Sequence, residues 1–104
     1  GLSNAALVLI ARIGSLTTLN ISDCRQFSSS GVSALTSMSN LDTLNMSRND
    51  WVDRDSLLAL GALSQLARLD VRGCPLVTDE DVYALAELLP NCDIEWYDRP
   101  ERGN

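Results

Sequence analysis

The 104-residue chain contains no histidine. That removes the imidazole on which Ser-His and Cys-His nucleophile pairs depend. With no CxxC pair either, the usual zinc ligand sets have no donors here. The glycines are scattered singly, so none forms a phosphate-cradling loop. Basic residues are few, eight against fourteen acids, and the net charge of −6 opposes attraction to phosphate backbones and anionic lipid. Long apolar runs are also missing. "AALVLIARI", from Ala5 to Ile13, falls far short of the roughly 20 residues that span a bilayer. It also lacks the basic flank and cleavage-type residues of a signal peptide. Gly1 stands where Met is expected, which reads as a cut start. These absences predict a non-enzymatic chain with no cofactor, no metal, no nucleic acid and no membrane partner. The length suits one domain, burying about 60 to 70% of the surface its unfolded form exposes.

What is present is a repeat. "LTTLNISDC" begins at Leu16, "LDTLNMSRN" at Leu41 and "LARLDVRGC" at Leu66, a step of 25 residues each time. One step further lies "NCDIEWYD", with Ile94 and Trp96 in the places of Leu19 and Ile21. Leu19, Leu44, Leu69 and Ile94 alternate at period two with Ile21, Met46, Val71 and Trp96, the pattern of a short strand with one buried face. The residues between are polar and are expected to face solvent: Thr18, Asn20, Ser22; Thr43, Asn45, Ser47; Arg68, Asp70, Arg72; Asp93, Glu95, Tyr97.

Nine residues past each first strand leucine stands Ser28, Asp53 or Thr78, and one repeat earlier Ser3. Each is a helix N-cap residue, able to accept a backbone N–H bond. "TDED" adds negative charge to a first helical turn, where the helix dipole favours it. Apolar residues then fall three apart: Leu7, Ile10, Ile13; Val32, Leu35, Met38; Leu57, Leu60, Leu63; Val82, Leu85, Leu88. These predict the buried stripes of four short helices. Strands joined through helices in this way run parallel. One such unit cannot bury its own apolar face, but stacked units share a core.

The pattern LxxLxLxxC followed by a Thr-Asp pair and a helix, best kept in "LARLDVRGCPLVTDEDVYAL", resembles the cysteine-containing leucine-rich repeat. "LTTLNISDCRQFSSSGVSAL" keeps the leucines and Cys24 but has Ser29 where the family often has Asp; "LDTLNMSRNDWVDRDSLLAL" has Asn49 in the cysteine place. The resemblance runs from Leu2 to Tyr97. It implies an α/β leucine-rich-repeat solenoid of about four β-α units, parallel strands on the concave side and helices on the convex side. It also implies a protein-recognition surface, as in F-box-type ubiquitin-ligase receptors and scaffold proteins. Residues 1–97 are accordingly read as the C-terminal part of a longer array and 98–104 as a flexible tail.

Cys24 and Cys74 occupy one repeat position two strands apart, on the order of 10 Å in a regular solenoid at about 4.8 Å per strand. A disulfide needs Cα atoms within about 7 Å. Cys24, Asn49 and Cys74 therefore read as a column that fills the turn after each strand and satisfies local backbone groups. Free, odd-numbered cysteine favours an intracellular setting, cytoplasmic or organellar. Asp70 and Glu95 lie side by side on neighbouring strands and read as solvated acids offset by Arg68 and Arg72.

The concave face is the default binding surface, and Arg and Tyr are enriched among residues that dominate binding energy. Arg48, Arg68, Arg72 and Tyr97, with Asp70 and Glu95, are the candidate partner-binding residues. Trp51 belongs on the rim, as a partner anchor or packed over the neighbouring turn. Val8 and Leu9 widen the apolar stripe of the first helix, which is expected to pack on upstream repeats of the same chain, on another subunit, or on a second copy of the chain. Three readings follow: a concave-face interaction module; a structural subunit held in a larger complex by its apolar N-terminal edge; and, as a special case of the first, the substrate-receptor arm of a ubiquitin ligase.

Overall fold

Strand segments separated by 25 residues lie side by side in one parallel sheet. A computed structural model describes residues 9, 10, 12–24, 28 and 31–96. Strands β1 (Thr18–Asn20), β2 (Thr43–Asn45), β3 (Arg68–Asp70) and β4 (Asp93–Glu95) are ordered β1-β2-β3-β4. The register advances by one repeat per strand: Leu19 faces Leu44, Leu44 faces Leu69 and Leu69 faces Ile94. Between strands run α1 (Val32–Leu35), α2 (Arg54–Ala59) with a 3₁₀ extension (Leu60–Ala62), and α3 (Asp79–Leu88). Leu9 and Ile10 are helical, but most of the expected first helix, including Ser3, Leu7 and Val8, lies outside the described residues. Among the described residues no helix is long and apolar enough to cross a membrane.

The alternation within each strand sends one face inward. Leu44, Met46, Leu69 and Val71 are each at most 2% exposed. They meet Val32, Leu35, Leu57, Leu60, Val82 and Leu85 from the helices in one continuous core.

Spacing by threes holds in two of the four expected helices; Ile13 of the first is 51% exposed, and the last departs as well. Met38 and Leu63 are buried, as expected, but Leu88 is 55% exposed and Leu89 takes its place at 6%. The reason is helix type. The second repeat tightens into a 3₁₀ turn at Leu60–Ala62, where three residues make a full turn. Helix α3 is α-helical throughout its ten residues, so the residue seven past Val82 returns to its face while the sixth does not. Ser47 is another departure. It is 1% exposed rather than solvent-facing, because the strand ends at Asn45 and Ser47 already lies in the turn, its carbonyl accepting from the Asp23 amide at 2.9 Å.

Two of the expected caps form full capping boxes. The Asp53 carboxylate accepts from the Ser56 amide while the Ser56 hydroxyl oxygen accepts in return from the Asp53 amide, and Thr78 and Asp81 form the corresponding box on α3. Helix α1 as described begins after Gly31, whose amide donates to the Ser28 carbonyl; residues 29 and 30, on which a cap from Ser28 depends, lie outside the described residues. Arg54 joins the two capped helices through an ion pair to Asp81 at 3.0 Å.

The caps make the fold acid-sensitive. The Ser56 amide and hydroxyl hold the Asp53 carboxyl below its ordinary value of 3.8. Burial pushes Asp81 up, but the Thr78 amide, the Arg54 guanidinium and the Thr78 hydroxyl together outweigh it and leave this carboxyl low as well. Both groups are depressed in the folded state. Their contribution is therefore present above the unfolded carboxylate value and is lost as pH falls through about 4 and below. Thermal melts should show Tm dropping between about pH 5 and about pH 3, and Asp81→Asn, which is destabilised by about 1 kcal/mol at neutral pH, should lose less over that window. A parallel fall in the variant would remove Asp81 from the cause.

Candidate functional site

Three-residue strands expose two residues each, so the concave face carries two outward columns. Thr18, Thr43, Arg68 and Asp93 form one; Asn20, Asn45, Asp70 and Glu95 form the other. A shallow groove of about 210 Å³ crosses β2, β3 and β4, lined by Thr43, Asn45, Arg68, Asp70, Asp93 and Glu95 over Leu44 and Leu69.

The second column has a structural duty. The Oδ1 atoms of Asn20, Asn45 and Asp70 accept from the amides of Ser22, Ser47 and Arg72 at 2.9, 2.9 and 3.0 Å. Asn and Asp favour this local bond to the backbone two residues on, which ends each strand in a turn. Because Oδ1 is committed, the Nδ2 groups of Asn20 and Asn45 are directed away from that bond.

The Arg72 guanidinium holds Asp70 from two sides, Nε to Oδ1 at 3.1 Å and Nη2 to Oδ2 at 2.9 Å, and its Nε lies 3.5 Å from Glu95 Oε1. Burial pushes the Asp70 carboxyl up, and the Arg72 bonds outweigh it and leave it below 3.8. Asp70 and Arg72 thus form one fixed unit. Arg68 is exposed and makes no ion pair with another described residue, and the Glu95 side chain is 58% exposed.

Arg48 sits apart, at the rim. A second depression, about 350 Å³, is lined by Asp23, Arg48, Asn49, Asp50, Gly73 and Pro75. Asp23, Arg48 and Gly73 are repeat equivalents with φ of 51°, 59° and 73°. Each repeat therefore needs the left-handed region at this position. A Cβ on Gly73 would meet Arg48 Cγ at 3.0 Å. Gly73→Ala should cost about 1 kcal/mol for the left-handed backbone alone, and more with Arg48 present. In an Arg48→Ala background the cost should fall toward the backbone component, and urea denaturation of the four proteins checks this.

Behind the rim stands the Cys24, Asn49, Cys74 column, and it satisfies backbone groups as expected. The Cys24 amide donates to Asn49 Oδ1 at 2.7 Å, Asn49 Nδ2 donates to the Ile21 and Met46 carbonyls, each at 3.0 Å, and the Cys74 thiol reaches the Met46 carbonyl at 3.3 Å. Burial pushes the Cys74 thiol up, so it stays protonated as a donor. The three cysteines are free. Trp51 is half-buried and its indole N–H donates to the Cys24 carbonyl at 3.1 Å, so it packs over the preceding repeat's turn.

The structure thus brings Arg68, Asp70, Arg72 and Glu95 together on the concave face and places Arg48 and Trp51 on the rim. Tyr97 and Val8 lie outside the described residues, and Leu9 is 64% exposed at the N-terminal edge. Sequence reasoning had placed Asp93, Thr43 and Asn45 only as surface polar residues, and the groove gives them a share in the candidate site.

Two segments, residues 15–35 and 66–86, match the family model described as Leucine Rich repeat. They are the two copies that carry Cys24 and Cys74, and the copy between them keeps the same strand register. A search of curated proteins finds no match. The fold is an α/β leucine-rich-repeat fold, with four parallel strands in one sheet alternating with helices. Leucine-rich repeats generally mediate protein–protein interaction.

Proposed function

We propose that the chain is a non-catalytic protein-recognition module whose concave face receives the partner. The observation that carries this reading is the groove across β2, β3 and β4. It is lined by exposed and half-buried polar side chains whose positions are set by the strand register and by side-chain-to-backbone bonds. Four strands at about 4.8 Å span only about 15 Å, against about 800 Å² per partner in a standard interface, so the face supplies part of a larger recognition surface. Binders selected from a peptide-display library, mapped by NMR amide shifts, test it. Shifts should cluster on β2, β3 and β4; binders mapping to the convex helices would overturn the reading.

A second reading, the structural subunit, is favoured by one observation: Leu9 and Ile13 are 64% and 51% exposed at the N-terminal edge of the array. Large apolar side chains gathered at one edge mark an interface with another unit, which here would be upstream repeats, another subunit or a second copy. Light scattering over a dilution series reads this directly. Self-association relieved by Leu9→Asp supports it, and a monomer at all concentrations excludes a second copy.

A further inference from the structure

The two halves of the concave face differ in what they offer. Over β1 and β2 the outward residues are Thr18, Asn20, Thr43 and Asn45, all uncharged, and the asparagines have their Oδ1 atoms taken by backbone amides. What remains of those amides is donors, suited to the main-chain carbonyls of a peptide whatever its side chains. Over β3 and β4 every outward residue is charged. Arg72 contacts Asp70 at two points and its Nε also lies 3.5 Å from Glu95 Oε1, so on this half two arginines, Arg68 and Arg72, stand against three carboxylates, Asp70, Asp93 and Glu95. Asp93 and Glu95 lie two apart on one strand face, about 6.8 Å from each other. Arg68 lies one strand away from this pair, on β3. An acidic side chain seeking Arg68 must instead approach its register partner Asp93. The net charge of −6 attracts basic partners to the whole surface.

We infer that the occupant of the concave groove is an extended peptide segment that lays its backbone over the asparagine half and places an arginine or lysine side chain against Asp93 and Glu95. This rests on the concave-face reading above and adds to it the chemistry and direction of the partner.

Fluorescence anisotropy with three labelled peptides tests the assignment, each with the same Gly/Ser/Thr body and ending in two arginines, two glutamates or neither. The arginine peptide should bind tightest at low salt and weaken as salt rises. Asp93→Asn with Glu95→Gln, both near-isosteric and exposed, should weaken it about tenfold, while Arg68→Gln should tighten it. Asp55→Asn with Glu87→Gln makes the same charge change on the helices and should leave binding unchanged; an equal loss there would show diffuse attraction and overturn the proposal. Preference for the glutamate peptide, lost in Arg68→Gln, would also overturn it while leaving concave recognition standing. If none of the three binds, the inference falls, and the mapped positions of the display-selected binders decide the broader reading on their own.

Discussion

Leu44→Ala is expected to destabilise the fold by about 3 kcal/mol, within the usual range for a leucine truncated in a packed core. Leu44 is 1% exposed and sits in register between Leu19 and Leu69, both buried. A cavity at this point is shared by two repeats, because each strand is three residues long and the core beneath is continuous. Ile94 fills the same repeat position on the outermost strand, where it is only half-buried and has one neighbouring strand. Ile94→Ala should therefore cost about 1 to 2 kcal/mol, since less area leaves water and the site relaxes more freely. Urea denaturation followed by circular dichroism measures both. A lowered m-value confined to Leu44→Ala would show the stack breaking into two parts at its middle. Equal losses at the two positions would contradict a core shared between neighbouring repeats.

The features legible from sequence are those that repeat with the backbone. Leu19, Leu44, Leu69 and Ile94 lie one per strand at a constant step, so the period-two pattern placed every strand and its register. Asp53 and Thr78 were readable as caps because a capping box needs only local atoms. Leu88 was not, since whether a helix continues as α or tightens to 3₁₀ depends on how its last turn packs, and that decides which leucine turns inward. Ser47 failed for a related reason: alternation holds only while the strand lasts, and Asn45 ends it by bonding the backbone ahead. At the candidate site, residue types were visible but their commitments were not. Asp70 read as a solvated acid offset by Arg68 and Arg72 and is held at two points by Arg72 alone, and Trp51, with two readings open, spends its indole N–H on the neighbouring turn. The first depends on how a side chain turns back along its own segment and the second on its reach to the neighbouring repeat, and no spacing in the chain encodes either.

Asn49→Ala is expected to cost about 3 kcal/mol although it removes no large apolar group. Asn49 is 2% exposed and makes three bonds: its Oδ1 accepts from the Cys24 amide, and its Nδ2 donates to the Ile21 and Met46 carbonyls. Alanine would leave one buried donor and two buried acceptors without those partners, and desolvation makes that expensive. The repeat itself provides the comparison. Cys74 reaches the Met46 carbonyl one repeat later by the same 28-residue step with which Asn49 reaches Ile21. Asn49→Cys should therefore keep one donor and cost less, about 1 to 2 kcal/mol. Asn49→Asp separates geometry from charge. It retains an acceptor for the Cys24 amide but turns a carboxylate toward two carbonyl oxygens in a buried site, which favours the protonated acid. Its folded-state pKa is then raised above the unfolded value, so this variant gains stability relative to wild type as pH falls through that raised value. Wild type, held by the depressed carboxyls of Asp53 and Asp81, loses stability in the acid range. Melts of the two proteins across pH should converge as acid is added. Parallel curves would mean that the Asn49 amide is not the donor that closes the turn.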